Sequence, residues 1–253
     1  MLKIIDGLKS YHEKPCLSVG EHTHTYLELE NSIEKYQGII KKKIKKGQVV
    51  AIISDYSFDA VSLFFALASH ECIVVPITAQ GHEEIKMRLQ EAYVNWSIGF
   101  DESDIKLTLL RNESPHQLLI GLNKIKHSGL IVFSSGSSGR PKAMLHDLDN
   151  LLSAFNDKKA RSTSVTLVFL MFDHLGGLNT LFHILTSGSH AVIPKTRTAE
   201  GVAKLIEVHK VNLLPTSPTF LNILMLSGAS KLYDLSSIKL ITYGTEPMPQ
   251  SVL

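Results

Sequence analysis

Short apolar runs alternate with helix-like patterns along almost the whole chain of 253 residues. The apolar run 49–54, for example, precedes the Leu-, Phe- and Ala-rich stretch 57–69, and the same order recurs further along the chain. Strands that are apolar throughout occur in parallel sheets, where helices cover both faces. The alternation therefore predicts an α/β fold in which parallel β-sheets are covered by helices.

The same periodicity predicts where the individual elements lie. We predict strands at residues 49–54, 72–76, 96–100, 130–133, 165–171, 191–193, 212–214 and 238–243. Two further strands, at residues 105–110 and 117–120, are predicted as edge strands. We predict helices at residues 57–69, 83–91, 148–158, 176–186, 199–209 and 218–226. An earlier helix is indicated by an apolar stripe at Leu29, Ile33, Tyr36, Ile40 and Ile44.

A run of lysines marks the predicted end of that first helix. Lys41, Lys42, Lys43, Lys45 and Lys46 lie in its last turns, where cations interact favourably with the helix dipole. A glycine at position 47 is expected to end the helix. Such a run could also bind phosphate or a membrane surface, but a solvated helix end is the interpretation that we favour.

Composition and charge exclude several classes of protein. Twenty-six Lys and Arg against 24 Asp and Glu give a net charge of +2, which is too balanced to indicate nucleic acid as a partner. The strongly apolar stretch 167–172 is far shorter than the roughly 20 residues that a membrane span needs. Residues 1–20 lack the apolar core of a signal peptide, and Cys16 and Cys72 fit a reducing compartment. We therefore expect a cytoplasmic protein without a membrane span.

A loop rich in Ser and Gly follows the predicted strand 130–133. It reads Ser134-Ser135-Gly136-Ser137-Ser138-Gly139-Arg140-Pro141-Lys142. Consecutive Ser and Gly N–H groups can form an anion-binding nest, and the lysine adds a mobile positive charge, so the combination suits a polyphosphate. A flexible linker is an alternative, but the position between apolar segments argues against it. The phosphate loop of nucleotide hydrolases is absent, because its two glycines lie further apart.

This loop closely resembles the phosphate loop of the adenylate-forming enzymes, which include acyl- and aryl-CoA synthetases, luciferases and peptide-synthetase adenylation domains. The resemblance extends from about residue 24 to residue 253. It is carried by the segments His24-Thr-Tyr-Leu-Glu-Leu, Lys46-Gly-Gln-Val-Val-Ala-Ile-Ile, Phe172-Asp-His-Leu-Gly-Gly-Leu178, Leu214-Pro-Thr-Ser-Pro-Thr-Phe220 and Ile238-Lys-Leu-Ile-Thr-Tyr-Gly-Thr-Glu-Pro-Met-Pro249. It implies the α/β fold of the family's large N-terminal domain, incomplete here.

The resemblance also implies a reaction and its ligands. In this family a carboxylate attacks the α-phosphorus of ATP to give acyl-AMP, and a thiol of CoA or of a carrier-protein phosphopantetheine then takes the acyl group. The β- and γ-phosphates would be held by Ser134, Ser135, Gly136, Ser137, Ser138, Gly139 and Lys142. A fatty or aryl acid–CoA ligase is the favoured function, and a carrier-protein-loading adenylation enzyme or a non-catalytic nucleotide- or partner-binding remnant is the alternative.

The resemblance also implies roles for two further groups of residues. His174 and Gly177 would edge the acyl pocket, although the family's aromatic residue is replaced by Asp173 and a core or capping histidine is the competing interpretation. The adenine would be bordered by Gly244, Thr245, Glu246 and Pro247. We assign no catalytic side chain and no metal ligand, since the ligands of Mg²⁺ are expected beyond Leu253.

The chain is interpreted as the N-terminal part of an adenylation domain. One lobe is predicted at about residues 48–160, and a second lobe at residues 1–47 plus 161–253. The family's small C-terminal domain is missing, so we expect the isolated chain to be inactive. The expected partners are a small carboxylic acid, an acyl carrier protein or a separately encoded C-terminal half.

Overall fold

The computed structural model describes residues 7–79, 81–101, 105–110, 115–135, 140–155, 164–244, 246–247 and 249. Its strands fall into two sheets. They are β1 (Pro15–Val19), β2 (His22–Thr25), β3 (Val49–Ile53), β4 (Ile73–Ile77), β5 (Trp96–Phe100), β6 (Ile105–Leu109), β7 (Gly129–Ser135), β8 (Pro141–Asp147), β9 (Val165–Leu167), β10 (His190–Ile193), β11 (Leu213–Thr216) and β12 (Leu240–Tyr243).

The two sheets are mostly parallel. In the described part of the chain, the first sheet has the order β12-β11-β9-β10-β1-β2, and only β2 runs antiparallel to its neighbour. The second sheet has the order β6-β5-β3-β4-β7-β8, with antiparallel strands at its two edges. Parallel neighbours need crossover connections, which the helices supply.

Helices connect the strands and cover the sheets. They are α1 (Tyr26–Ile40), α2 (Phe58–Ser69), α3 (His82–Glu91), α4 (Gln117–Lys124), α5 (Leu148–Ser153), α6 (Leu175–Thr186), α7 (Ala199–His209), α8 (Pro218–Leu226) and α9 (Ala229–Leu232). Thr25 and Glu28 form a capping box at the start of α1, and the Ser57 hydroxyl caps α2 by accepting the Ala60 N–H. No helix in these described ranges combines the length and the apolar character needed to cross a bilayer.

Alternate residues of the second sheet pack into different layers. Val50 and Ile52 of β3 belong to the central core, which also holds α1, α2 and the Leu17 face of the first sheet. Val49 and Ala51 of the same strand pack on the opposite face with residues of α4. The centre of the sheet is therefore buried on both faces, which is why its strands β3 and β4 are apolar at every position. The predicted α/β fold of parallel sheets covered by helices is confirmed.

Helix α2 lies between the two sheets. All side chains from Ala60 to Ala68 are buried. Its Phe64 ring lies 5.8 Å from the ring of Phe172 and 5.7 Å from that of Phe182, both of which come from the part of the chain that builds the first sheet. Aromatic packing of this kind fixes the two sheets against each other.

Several local predictions were wrong. Residues 117–120 belong to α4, because Leu119 and Leu122 bury one helical face and the His116 side chain accepts the Leu118 N–H. The segment 41–47 is not the end of α1 but a series of turns, since five clustered lysines disfavour a helix and the chain must turn into β3. The strand predicted at 165–171 ends at Leu167. Of the helix predicted at 148–158, the structure contains α5 (Leu148–Ser153), and residues 156–158 lie outside the described residues.

Candidate functional site

The carboxyl ends of parallel strands from both sheets meet in one region, which we call the carboxyl edge. The segment after β3 carries Asp55, and the segment after β9 carries Phe172, whose backbone N–H donates to the Asp55 carboxylate at 3.1 Å. Loops at this end of parallel strands are the usual place for ligands in α/β proteins. The predicted phosphate loop follows β7, a strand that is parallel to β4 in the same region.

The predicted phosphate loop connects two paired strands. Ser134 of β7 lies opposite Lys142 of β8, and Ser135 lies opposite Pro141, so the residues at both ends of the sequence motif are in a β-ladder rather than in the loop. The Lys142 side chain is exposed. The remaining predicted phosphate-binding residues lie outside the described residues: Gly136, Ser137, Ser138 and Gly139.

An aspartate at the end of β3 connects the two sheets. One oxygen of Asp55 accepts the N–H groups of Tyr56 at 2.8 Å and Phe172 at 3.1 Å. The other oxygen accepts Nη1 of Arg197 at 2.7 Å, and Nε of that arginine donates to the Phe169 carbonyl at 2.6 Å. One carboxylate therefore holds the end of β3 against two segments that follow strands of the first sheet.

A second ion pair crosses between the sheets beside the phosphate loop. Nη1 of Arg88 in α3 donates to Asp173 at 2.8 Å, and Nη2 donates to Glu84 at 2.6 Å. The guanidinium lies 5.1 Å from the ring of Phe133, the residue that precedes Ser134. Asp173 stands where the resemblance places an aromatic residue. The negative charge of the Asp173 carboxylate is therefore neutralised by the Arg88 guanidinium.

The two predicted acyl-pocket residues lie at the start of α6. Nδ1 of His174 accepts the Gly176 N–H at 3.0 Å and so caps the helix, while the side chain is exposed. The histidine is therefore a capping residue and not a core residue. A Cβ atom on Gly177 would lie 2.8 Å from the Met171 carbonyl and 3.0 Å from the Tyr56 hydroxyl, so this position requires glycine.

The predicted adenine-bordering segment follows β12. Glu246 accepts the backbone N–H and the hydroxyl of Thr219, both at 2.9 Å, at the first turn of α8. These hydrogen bonds, the backbone one first, lower the pKa of the Glu246 carboxyl. Gly244 and Pro247 are described and exposed, and Thr245 lies outside the described residues. The structure thus brings this segment against the turn between β11 and α8.

Several buried polar atoms at the carboxyl edge have no hydrogen-bond partner among the described residues. They are Tyr56 Oη, Arg88 Nε, Arg197 Nη2 and Thr216 Oγ1. Burial, reinforced by the neighbouring Asp55 carboxylate, raises the pKa of the Tyr56 hydroxyl well above its ordinary value. Buried donors without partners are uncommon in folded proteins, so this edge holds unused hydrogen-bonding capacity.

The described residues hold no preassembled group of metal ligands. No three His, Cys, Asp or Glu side chains in the described ranges come together as a metal-binding group. The Glu246 carboxylate is engaged by Thr219, and the Asp55 and Asp173 carboxylates are engaged by arginines. A hard cation that prefers several oxygen ligands therefore finds no ready site here.

Sequence reasoning missed the charged pairs of this region. The sequence does contain a signal for Asp55, because this aspartate is the first acidic residue after an apolar strand, where ligand-facing loops begin. The sequence contains no such signal for the two arginines, because Arg88 lies in a helix, Arg197 lies in a loop, and neither is part of a motif.

The chain matches a family model described as AMP-binding enzyme over residues 6–253. It is similar to 4-coumarate–CoA ligase-like 9 of Arabidopsis thaliana, with 24% identity over a 260-residue alignment that covers 90% of this chain and 46% of that protein. It is also similar to a dimodular nonribosomal peptide synthase of Bacillus subtilis, with 25% identity over 210 residues, 79% of this chain and 8% of that protein. The chain spans about half the length of its ligase relative.

Solved structures share the fold. The N-terminal domain of FACL13 from Mycobacterium tuberculosis, bound to an inhibitor, superposes with a TM-score of 0.78 at 17% identity, covering 98% of this chain and 71% of that one. The N-terminal subdomain of Klebsiella oxytoca NpsA, in complex with 3-hydroxybenzoyl-AMSN, gives a TM-score of 0.77 at 17% identity, covering 98% and 67%. At such low identity the likeness establishes the fold alone.

Proposed function

The chain belongs to the family of AMP-binding enzymes, and on that premise we propose that it serves the ATP-dependent activation of a carboxylic acid as an acyl adenylate. The observation that carries this proposal is the Ser- and Gly-rich loop, flanked by Ser134 and Lys142, at the carboxyl end of β7. Polar donors and one lysine at this edge suit the phosphates of ATP.

The proposed chemistry relies on positioning and charge rather than on proton transfer. The substrate carboxylate attacks the α-phosphorus, and the bond to the β-phosphate oxygen breaks with release of pyrophosphate. Residues 134–139 and Lys142 would hold the β- and γ-phosphates and so stabilise the leaving group. No step of this proposal depends on the Mg²⁺ that such enzymes use.

The remaining site residues are proposed from the resemblance and supported by their place in the fold. His174 and Gly177 would edge the acyl pocket at the start of α6, and residues 244–247 would border the adenine after β12. Both segments follow strands of the first sheet, whereas the phosphate loop follows a strand of the second. This distribution supports two lobes, at about residues 48–160 and at residues 1–47 plus 161–253, with the ligand between them.

CoA is the thiol acceptor that we favour, with a fatty or aryl acid as substrate. The support is the similarity to a 4-coumarate–CoA ligase-like protein over 90% of this chain. A carrier-protein phosphopantetheine is the second candidate, favoured by the similarity to a nonribosomal peptide synthase. A cytoplasmic location remains a prediction from the sequence.

The test is carboxylate-dependent exchange of pyrophosphate into ATP by the complete protein that contains this chain, with a panel of fatty, aryl and amino acids. We expect exchange with at least one acid, and a loss of about 30- to 1,000-fold in Lys142→Ala, because one electrostatic donor to a transition state contributes about 2–4 kcal/mol. Lys106→Ala removes an exposed lysine from β6 of the same sheet and is the matched control.

Absence of exchange with every acid, while ATP still binds, would favour the non-catalytic remnant over the ligase. Transfer of the activated acyl group to CoA, or only to a carrier protein, would then decide between the two acceptors.

A further inference from the structure

The lysine run after α1 has no part in the proposed function, and the structure places it beside other cations. The Asn123 side-chain amide donates to the Gly47 carbonyl at 3.1 Å, which joins the segment 41–47 to the end of α4. Lys46 and Lys126 line one cavity of about 370 Å³. We call these two joined segments the lysine face; their lysines are Lys41, Lys42, Lys43, Lys45, Lys46, Lys124 and Lys126.

The charge of the lysine face is largely uncompensated. All seven side chains are exposed. Lys46 pairs with Glu71, and the other six form no ion pair with a carboxylate of the described residues. With Glu71, which lines the same cavity, the lysine face carries a formal charge of +6, so the rest of the chain is net negative. The positive charge is therefore concentrated on one surface.

An apolar side chain stands among these lysines. Ile125 directly follows α4, between Lys124 and Lys126, and its side chain is 56% exposed. Lysines around exposed aliphatic side chains are typical of surfaces that lie on a bilayer, where the cations meet anionic headgroups and the apolar groups enter the interface.

The chemistry of the lysine face favours a lipid over a protein partner. Its cations are all lysines, whereas protein–protein interfaces are depleted in Lys and enriched in Arg, which binds carboxylates in a fixed bidentate geometry. A layer of lipid headgroups requires no fixed bidentate geometry, and its attraction for a protein surface depends on the summed charge of that surface.

We propose that the lysine face, with Ile125 inserted, docks the protein on an anionic lipid surface. Its two segments directly precede β3 and β7 and so lie at the amino ends of these parallel strands. The phosphate loop lies at the other end of β7, roughly 23 Å away for seven residues at about 3.3 Å each. A docked molecule would hold its phosphate-loop edge away from the bilayer, open to soluble ligands.

The test is cosedimentation of the chain with vesicles of equal parts phosphatidylcholine and phosphatidylserine, against vesicles of phosphatidylcholine alone and a vesicle-free spin. We expect binding to the anionic vesicles only, weakening as salt is raised. Since a lysine near an anionic surface contributes about a fivefold increase in binding, K41S/K42S/K43S should lower the partition coefficient more than about tenfold. The control K86S/K106S/K239S removes the same charge from exposed positions elsewhere and should bind as the unmodified chain does.

The apolar part has its own pair of variants. Ile125→Ser should lower binding severalfold at unchanged charge, and Leu109→Ser, which alters an exposed leucine of β6, should not. The proposal is overturned if the chain ignores anionic vesicles, if both lysine triples lose binding equally, or if I125S binds unchanged. It is also overturned if polyglutamate retains the chain through the lysine face while vesicles do not, because the partner is then an acidic protein.

Discussion

The carboxyl edge and the lysine face lie at opposite ends of the same strands. Charged side chains are paired and partly buried at the carboxyl edge, whereas those of the lysine face are exposed and mostly unpaired. At the carboxyl edge, Asp55 and Asp173 are paired with arginines whose side chains are 22% and 17% exposed. On the lysine face the side chains extend into solvent, and only Lys46 has a carboxylate partner among the described residues. Charged residues therefore form paired, partly buried contacts at one end and an exposed, positively charged surface at the other.

The difference shows where substitutions should affect folding and where they should affect only binding. Half-buried pairs that also bond to backbone groups are part of the fold, because removing one partner leaves the other charge partly buried and unpaired. Exposed lysines contribute little to stability, because water solvates them about equally well in the folded and unfolded chain. The predictions below test this contrast, from the largest expected change in free energy to the smallest.

Asp55→Ala should destabilise the protein by about 3 kcal/mol, because it leaves Arg197 and the Phe172 N–H without their acceptor. Lys43→Ser on the lysine face should change the free energy of unfolding by less than about 0.5 kcal/mol. Urea unfolding of both variants measures the contrast. Equal effects would show that the charged pairs of the carboxyl edge do not support the fold.

Acid should destabilise the first sheet through His190, whose Nε2 lies 2.7 Å from the Ser18 hydroxyl. Burial, with the nearby His209 second, lowers the pKa of His190 to about 4. The unfolded chain, with a histidine pKa near 6.5, then binds more protons, so stability is complete above about pH 6.5 and falls toward pH 4. Between pH 7 and pH 5 we expect a loss on the order of 2 kcal/mol that is smaller in His190→Gln, measured by urea unfolding at both pH values. A loss of equal size in the variant would assign the acid sensitivity to other groups.

Gly177→Ala should destabilise the protein by about 1 kcal/mol net. The added Cβ meets the Met171 carbonyl, an overpacking that costs about 1–3 kcal/mol, against a gain of up to about 1 kcal/mol in helix propensity. Gly38→Ala is the matched control, since nothing lies within 4 Å of its Cβ position in α1, and it should be stabilising. Thermal unfolding compares the two, and a stabilised G177A would contradict the close packing at the carboxyl edge.

His174→Ala should destabilise the protein by only about 0.5 kcal/mol through the lost helix cap. His116→Ala removes the same kind of cap from α4 and should cost about as much. If His174 also edges the acyl pocket, H174A alone should change the ratio of kcat/KM values across several acids in the complete protein. Unchanged selectivity would leave His174 with capping as its whole role.

The strand–helix alternation predicted β3 to β7 of the second sheet, because its central strands are apolar on both faces, but it missed the edge strand β8 (Pro141–Asp147), which carries polar residues. The strands β1 and β2 were not predicted, since Pro15–Val19 includes a proline and a serine and His22–Thr25 is entirely polar. They form because β1 pairs with β2 and with β10. The helix α4 was mistaken for a strand because Leu118, Leu119 and Ile120 are consecutive, although only Leu119 is buried.

A phosphate loop could be predicted from the sequence because phosphate binding requires a characteristic local composition. The charged pairs could not, because their partners lie far apart in the chain: 142 residues separate Asp55 from Arg197, and 85 separate Arg88 from Asp173. Such pairs depend on how the two sheets meet, which no local pattern records. The role of His174 as a cap was one of the two interpretations that the sequence left open.

The most direct test of the account is the affinity for ATP, measured by titration calorimetry of the unmodified chain, Lys142→Ala and K41S/K42S/K43S. Because a charge-assisted contact contributes about 1.5–3 kcal/mol, K142A should bind ATP at least about tenfold more weakly. The triple variant should bind ATP as the unmodified chain does, since its lysines lie at the other end of the strands. Equal loss in both variants, or loss only in the triple variant, would place the nucleotide at the lysine face and contradict the account.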